Sequence, residues 1–137
     1  MEESKFNEDH VDSQFQDSDY AFVRFRVNFD TAYGQTIKIV GDKPELGSWD
    51  PLKAIPLETN TDIFPTWVNR KRIKFKKGVN IDYKYLIFDE SGNYSYEYLP
   101  AEENRHIIIN ISGKVSVKNA VVFEVLLVLI KILCFKL

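Results

Sequence analysis

From Ala21 to Phe29 the chain changes character at every residue. Ala21, Val23, Phe25, Val27 and Phe29 share one side, and Arg24, Arg26 and Asn28 share the other. A period of two is the signature of a strand with one wet face and one buried face, and it cannot be wound into a helix without scattering that apolar set. Residues 81–88 repeat the device, with Ile81, Tyr83, Tyr85 and Ile87 opposed to Asp82, Lys84, Leu86 and Phe88. Thr36–Val40 is a β-branched run halted by Gly41-Asp42, and Trp67–Lys77 reads as one further strand anchored by Ile73 and Phe75. The turn cluster Asp89-Glu-Ser-Gly-Asn93 predicts a hairpin, with Tyr94–Leu99 as its return strand; Arg105–Ile111 closes the series. Nothing between residues 20 and 112 carries a helical period. Short strands punctuated by turns every 8–12 residues or so predict an antiparallel β-sandwich.

Length and charge divide the chain. With 137 residues there is room for one domain and two tails. Residues 1–20 hold seven acids against one lysine, whereas 21–137 hold 17 bases against 13 acids. The acidic opening, with few apolar residues, is expected to stay disordered, and it lacks the basic and apolar regions of a signal peptide. A cytoplasmic location follows as the default expectation. The domain is expected to span 21–111, with 112–137 as a linker and apolar tail. Between Glu124 and Lys131 the tail has six apolar residues, whereas a spanning helix wants about 20. Membrane contact is not the favoured reading; a partner-docking segment and a misread gene boundary are the others.

Catalysis is poorly supplied. One cysteine, Cys134, permits neither an intrachain disulfide nor a Cys-based metal centre. Two histidines, His10 and His106, leave little for a metal site or an acid–base relay, and no glycine-rich phosphate loop is present. Asp50 and Glu97 could pair as glycosidase carboxylates; solvated acids on loops is the preferred reading. No cofactor or metal is expected.

Aromatic residues in turns are the informative feature. Trp49 lies in Pro44-Glu-Leu-Gly-Ser-Trp-Asp-Pro51, and Tyr33 in Thr31-Ala-Tyr-Gly-Gln35. Loops run over the surface, so each ring either plugs the sandwich edge or is displayed to a ligand. A displayed ring suits a sugar, whose C–H face is apolar while its hydroxyls need Lys, Asn or Glu at the rim. Trp67, opening a strand, reads as core. The run Arg70-Lys-Arg-Ile-Lys-Phe-Lys-Lys77 suits an edge strand whose lysines discourage aggregation, in preference to a nucleic-acid patch. A sharper expectation is that these bases help hold a phosphorylated ligand.

These segments, in order, resemble the family 20 carbohydrate-binding module, or starch-binding domain. The resemblance is carried by Val23–Val27, Thr31–Gly41, Pro44–Pro51, Ala54–Leu57, Pro65–Trp67, Gly78 with Ile81–Tyr85, and Tyr96-Glu97 with Asn104-Arg105. It implies an immunoglobulin-like sandwich of about 7–8 strands that binds α-1,4-glucans such as starch, amylopectin or glycogen at up to two surface sites. Trp49, Lys84, Glu97 and Asn104 match the tryptophan, lysine, acid and amide of the primary site. Tyr96 stands where the family has a second tryptophan, which implies weaker binding. Tyr33 matches one ring of the second site. No tyrosine lies between Leu57 and Pro65 to partner it, and Phe64 reads as core. Two functions follow from the resemblance. One is a non-catalytic module that places the protein on glucan granules. The other is the targeting end of a glucan-active enzyme, a glucan phosphatase or glucanotransferase.

Overall fold

The alternating segment at 21–29 becomes the central strand of a sheet, with its odd residues turned inward. The computed structural model describes residues 18–123, and all but one of the paired strands within it are antiparallel. There are nine: β1 (Tyr20–Asn28), β2 (Thr36–Gly41), β3 (Ile55–Glu58), β4 (Thr66–Asn69), β5 (Ile73–Lys76), β6 (Asn80–Phe88), β7 (Tyr94–Tyr96), β8 (Arg105–Ile108) and β9 (Gly113–Ala120). One edge of β1 takes β5 over residues 20–23 and β4 over 26–28, and β9 lies along its other edge. The second sheet is built likewise on β6, which pairs with β2, β7 and β8. β3 joins the two, pairing with both β2 and β4. Val23, Phe25 and Val27 of β1 pack with Ile37, Ile39, Ile81, Tyr83 and Tyr85 of the facing sheet. The rings of Phe25 and Tyr83 meet across this layer at 5.2 Å. The expected sandwich is present.

Two differences from the sequence reading bear on the fold. The expected strand Trp67–Lys77 is two strands, broken at Arg70–Arg72. Asn69 is the cause. It is buried, its Oδ1 accepts from the Phe25 N–H at 2.7 Å, and its Nδ2 donates to the carbonyls of Val23 (3.1 Å) and Lys71 (2.7 Å). An amide side chain thus stands in for the backbone ladder of β1 where β4 leaves and β5 has not begun. β5 is an edge strand, as the lysines at 74 and 76 predict.

The domain does not close at Ile111. β9 pairs in parallel with β1 along eight positions, from Ala21↔Gly113 to Asn28↔Ala120. That strand takes the total past the expected seven or eight and makes the sheet mixed. β9 carries few apolar residues because its even positions, Lys114, Ser116 and Lys118, face water, while Val117 is buried. The final segment beyond Phe123 and the acidic stretch before Ser18 lie outside the described residues, together with the expectations made for them. Among the described residues no helix is long and apolar enough to cross a membrane.

Asn119 of β9 anchors two core phenols. Its Oδ1 accepts from Tyr83 Oη at 3.0 Å and Tyr85 Oη at 2.8 Å. Burial pushes the Tyr83 phenol up to about 12 from 10.0, against the opposing pull of Arg105, and burial raises Tyr85 as well. A raised folded-state pKa favours the protonated form. Its stabilisation is therefore complete below pH 10 and is lost as pH climbs through 12. Urea midpoints are expected to stay level from pH 8 to about 9.5 and to fall steeply above about 10. Tyr83→Phe should make that fall shallower; an unchanged slope in the variant counts against this origin.

Candidate functional site

The even-numbered side of β6 faces outward over the second sheet and meets a turn that is unusually constrained. After β2 the chain makes a 3-10 turn at Pro44–Leu46, followed by Gly47 (φ 85°), Ser48 (φ 50°) and Trp49 (φ 64°), all left-handed. Gly47 is required there: an added Cβ would stand 2.6 Å from the Lys53 carbonyl oxygen. Left-handed backbone at Ser48 and Trp49 costs on the order of 1–3 kcal/mol each and persists only where other contacts fix it. Here the Trp49 N–H donates to the Gly41 carbonyl at 2.7 Å, and the Asp50 N–H donates to Gly47 at 2.9 Å. The Asp50 carboxylate then caps the turn Pro51–Lys53, accepting from the Leu52 N–H at 3.0 Å. The result is a half-buried Trp49 ring seated on Val40, Ala54, Leu86 and Phe88.

The other rings of this face come from β7. Ladder register sets Tyr96 beside Leu86, Tyr94 beside Phe88, and Lys84 beside Val40. Tyr94 and Tyr96 are 44% and 41% exposed, with ring centroids 6.0 Å apart at 84°. The Lys84 ammonium lies 5.9 Å from the Tyr96 ring centre, and Lys38 covers Phe88 at 4.3 Å. Trp49, Lys84 and Tyr96, three residues singled out from sequence, therefore share one outer face. A row of rings with an ammonium at its margin can stack on an apolar surface and donate to hydroxyls, and the described residues bring no three His, Cys, Asp or Glu side chains together beside it.

A family model described as starch binding domain matches residues 21–119. The chain belongs to the starch binding domain family. It is 35% identical to an alpha-amylase of Thermomonospora curvata over 72 residues, which are 53% of this chain and 12% of that enzyme. It is 39% identical to a cyclomaltodextrin glucanotransferase of Geobacillus stearothermophilus over 83 residues, 58% of this chain and 11% of the enzyme. Among solved structures, the family 20 module of a maltotetraose-forming amylase from Pseudomonas saccharophila STB07 matches with a TM-score of 0.53 and 27% identity. That match covers 72% of this chain and 97% of the module. The chain spans about an eighth of the length of the curated relatives it matches. The match of the family model thus falls on a binding domain, which is not itself catalytic.

Within this starch binding domain the remaining expected site residues part ways. Asn104 is exposed just ahead of β8, whose first residue Arg105 pairs with Tyr83, the neighbour of Lys84 in β6. Glu97 is different. Its side chain has no exposed surface: Arg105 Nε and Nη2 donate to its two oxygens at 2.8 Å each, and the Tyr85 N–H donates at 3.0 Å. The expectation of a sugar-binding carboxylate is corrected on this point, because the carboxylate is buried and already accepts three hydrogen bonds. The Asp50–Glu97 catalytic pairing falls with it. Tyr33 is 98% exposed on the loop before β2. Phe64 is not core; it is 43% exposed on the loop 59–65, which is tied to the start of the Tyr33 loop by the Phe29 N–H bond to Pro65 O at 3.0 Å. Trp67 is buried, as expected.

Sequence reasoning missed Tyr94 and Tyr98. Tyr98 is 46% exposed and follows Glu97. The signal for Tyr94 was available: two residues before Tyr96 on a strand, it has to face the same way.

Proposed function

We propose that this domain binds α-1,4-glucan without acting on it, through the outer face that carries Trp49, Lys84 and Tyr96, and so holds the protein on starch- or glycogen-like polysaccharide. The observation that supports the reading is the seating of Trp49 in a left-handed turn, with one side of its ring on an apolar patch and a lysine and two tyrosines around it. A glucose ring stacks its C–H face on the indole, and the Lys84 ammonium and Asn104 amide hydrogen-bond its hydroxyls. Tyr96 supplies less stacking area than a tryptophan, so a single site binds in the micromolar to millimolar range and repeats along the polymer raise the avidity. Tyr33, with Phe64 on the neighbouring loop, offers a lesser second contact. A cytoplasmic protein bound to glucan granules is the setting we infer. A second reading, the targeting part of a glucan-active enzyme such as a glucan phosphatase or glucanotransferase, draws support from the relatives: each aligns with this domain over roughly a tenth of its own length.

Sedimentation with insoluble starch tests the first reading. The wild type should pellet, and Trp49→Ala should lose at least about tenfold in apparent affinity, as expected for removal of a central aromatic anchor. Tyr33→Ala should lower only the avidity on long chains. If neither wild type nor variant pellets, or if a folded Trp49→Ala pellets as well as wild type, the proposal fails.

A further inference from the structure

The opposite outer face, on the sheet centred on β1, has a different chemistry. Its outward positions are Arg24 and Arg26 of β1, Lys74 and Lys76 of β5, and Lys114 and Lys118 of β9. β1, β4, β5 and β9 together contain no Asp or Glu, and the acid that β3 adds to this sheet, Glu58, is paired with Arg70 at 2.9 Å. A face this basic would normally be interleaved with acids, because like charges on neighbouring strands repel. Lys114 has interactions of its own, and Lys74 lies 4.1 Å over the Tyr20 ring. Arg26 and Lys118 are different: they are direct neighbours in the β1–β9 ladder, and neither has an acidic partner among the described residues. Between them and Asn28, Thr66 and Asn119 lies a concavity of about 260 Å³ with no acid in its wall.

We propose that this concavity is a phosphate site and that it takes phosphate monoesters carried on glucan. The phosphate chemistry stands on the pocket, while the identity of the carrier rests on the function proposed above. Charge selects the monoester. At neutral pH its −1.5 to −2 or so matches one guanidinium and one ammonium, whereas a phosphodiester brings a single charge. Arg26 can present two parallel N–H groups to phosphate oxygens, Lys118 a mobile third donor, and Thr66 and Asn28 hydroxyl and amide donors at the rim. A nucleic-acid strand fits less well, because a stacking platform is missing: Tyr20 is capped by Lys74, and Phe22 is buried. Trp49 and this pocket lie on opposite faces of the sandwich, so one domain can grip two glucan chains, one by its sugar rings and one by its phosphate.

The test uses the full chain and four probes: a phosphorylated maltodextrin, the same dextrin after phosphatase treatment, inorganic phosphate, and a 12-nucleotide single strand. Wild type should bind the phosphorylated dextrin about fivefold more tightly at low salt, with the preference fading at high salt. Amide resonances of Arg26, Thr66 and Lys118 should shift with inorganic phosphate alone. The double variant R26Q/K118Q, whose side chains hold no contact in the core, should lose both effects yet still pellet with neutral starch. W49A should keep the phosphate response. Equal affinity of wild type for the two dextrins, a preference retained by R26Q/K118Q, or tighter binding of the single strand each overturns the proposal. If the glucan reading alone is wrong, the treated dextrin binds no variant while phosphate still shifts the wild-type amides and not those of R26Q/K118Q, and the phosphate site stands.

Discussion

A chain stopped after Ile111 is expected to lose its cooperative unfolding transition, while a chain stopped after Phe123 keeps it. Without β9, the long edge of β1 from Ala21 to Asn28 has no partner, and the inner side chains Val23 and Phe25 lose the cover of Val117 and Val121. The hydroxyls of Tyr83 and Tyr85 lose their shared acceptor at Asn119, and Arg105 loses the Ala120 carbonyl that its Nη2 reaches at 2.8 Å. Arg72 gives up a bond to the Val115 carbonyl, and the Tyr98 N–H one to Val122. Each buried polar group stranded in this way costs about 1–3 kcal/mol. The two phenols are the core groups stranded in this way, and their loss, added to the eight-position ladder and the apolar cover of β9, is comparable to the roughly 5–15 kcal/mol by which a domain of this size is stable. Thermal denaturation followed by circular dichroism reads the result directly. A sharp transition in the chain ending at Ile111 would show that β9 is dispensable.

β9 also marks where the sequence was hard to read. β1 was legible because nine residues of clean alternation leave one reading; β6 splits into the two sides expected, but Leu86 and Phe88 on its outer side are buried under Trp49. Trp49 was legible because a tryptophan among Pro, Gly and Ser cannot belong to a strand. Gly113–Ala120 also alternates, but its inward apolar residues are only Val115 and Val117, and the signal sank beneath the lysines. Alternation says which side of a strand faces the core. It does not say which strand will lie beside it, so neither the parallel partner nor the role of Asn69 in the ladder could be read. Asn69 shows no periodicity at all, because its work is done by one side-chain amide on a strand 44 residues earlier. Phe64 misled for a related reason: a large apolar residue beside proline looks like core until the path of the loop is known.

Glu97→Ala should cost about 3–5 kcal/mol of stability, because it leaves a half-buried guanidinium without its counter-charge. The sequence held the clue in its parity. Tyr94 and Tyr96 face outward, so Glu97 faces inward, and an inward carboxylate needs a cation and donors to satisfy it. Arg105 provides both. Burial alone would lower the Arg105 pKa, but the hydrogen bonds and charge of Glu97 outweigh it and the net shift is upward, so the guanidinium stays charged. The geometry also explains its place. Tyr85 lies opposite Glu97 in the ladder and Tyr83 lies opposite Arg105, so the bridge clamps both ends of the loop 98–104 that carries Asn104. Arg105→Met should destabilise comparably by stranding the carboxylate. The double variant Glu97→Gln/Arg105→Met should lose clearly less than the two single losses combined, since neither charge is then left alone. Urea unfolding measures all of these, and starch sedimentation at a temperature where each variant is folded separates positioning from contact. On the positioning account, Glu97→Gln lowers both stability and starch affinity, the latter only a few-fold by loosening Asn104 and Tyr96. A Glu97→Gln protein as stable as wild type but unable to pellet with starch would mean instead that the carboxylate swings out to meet the sugar.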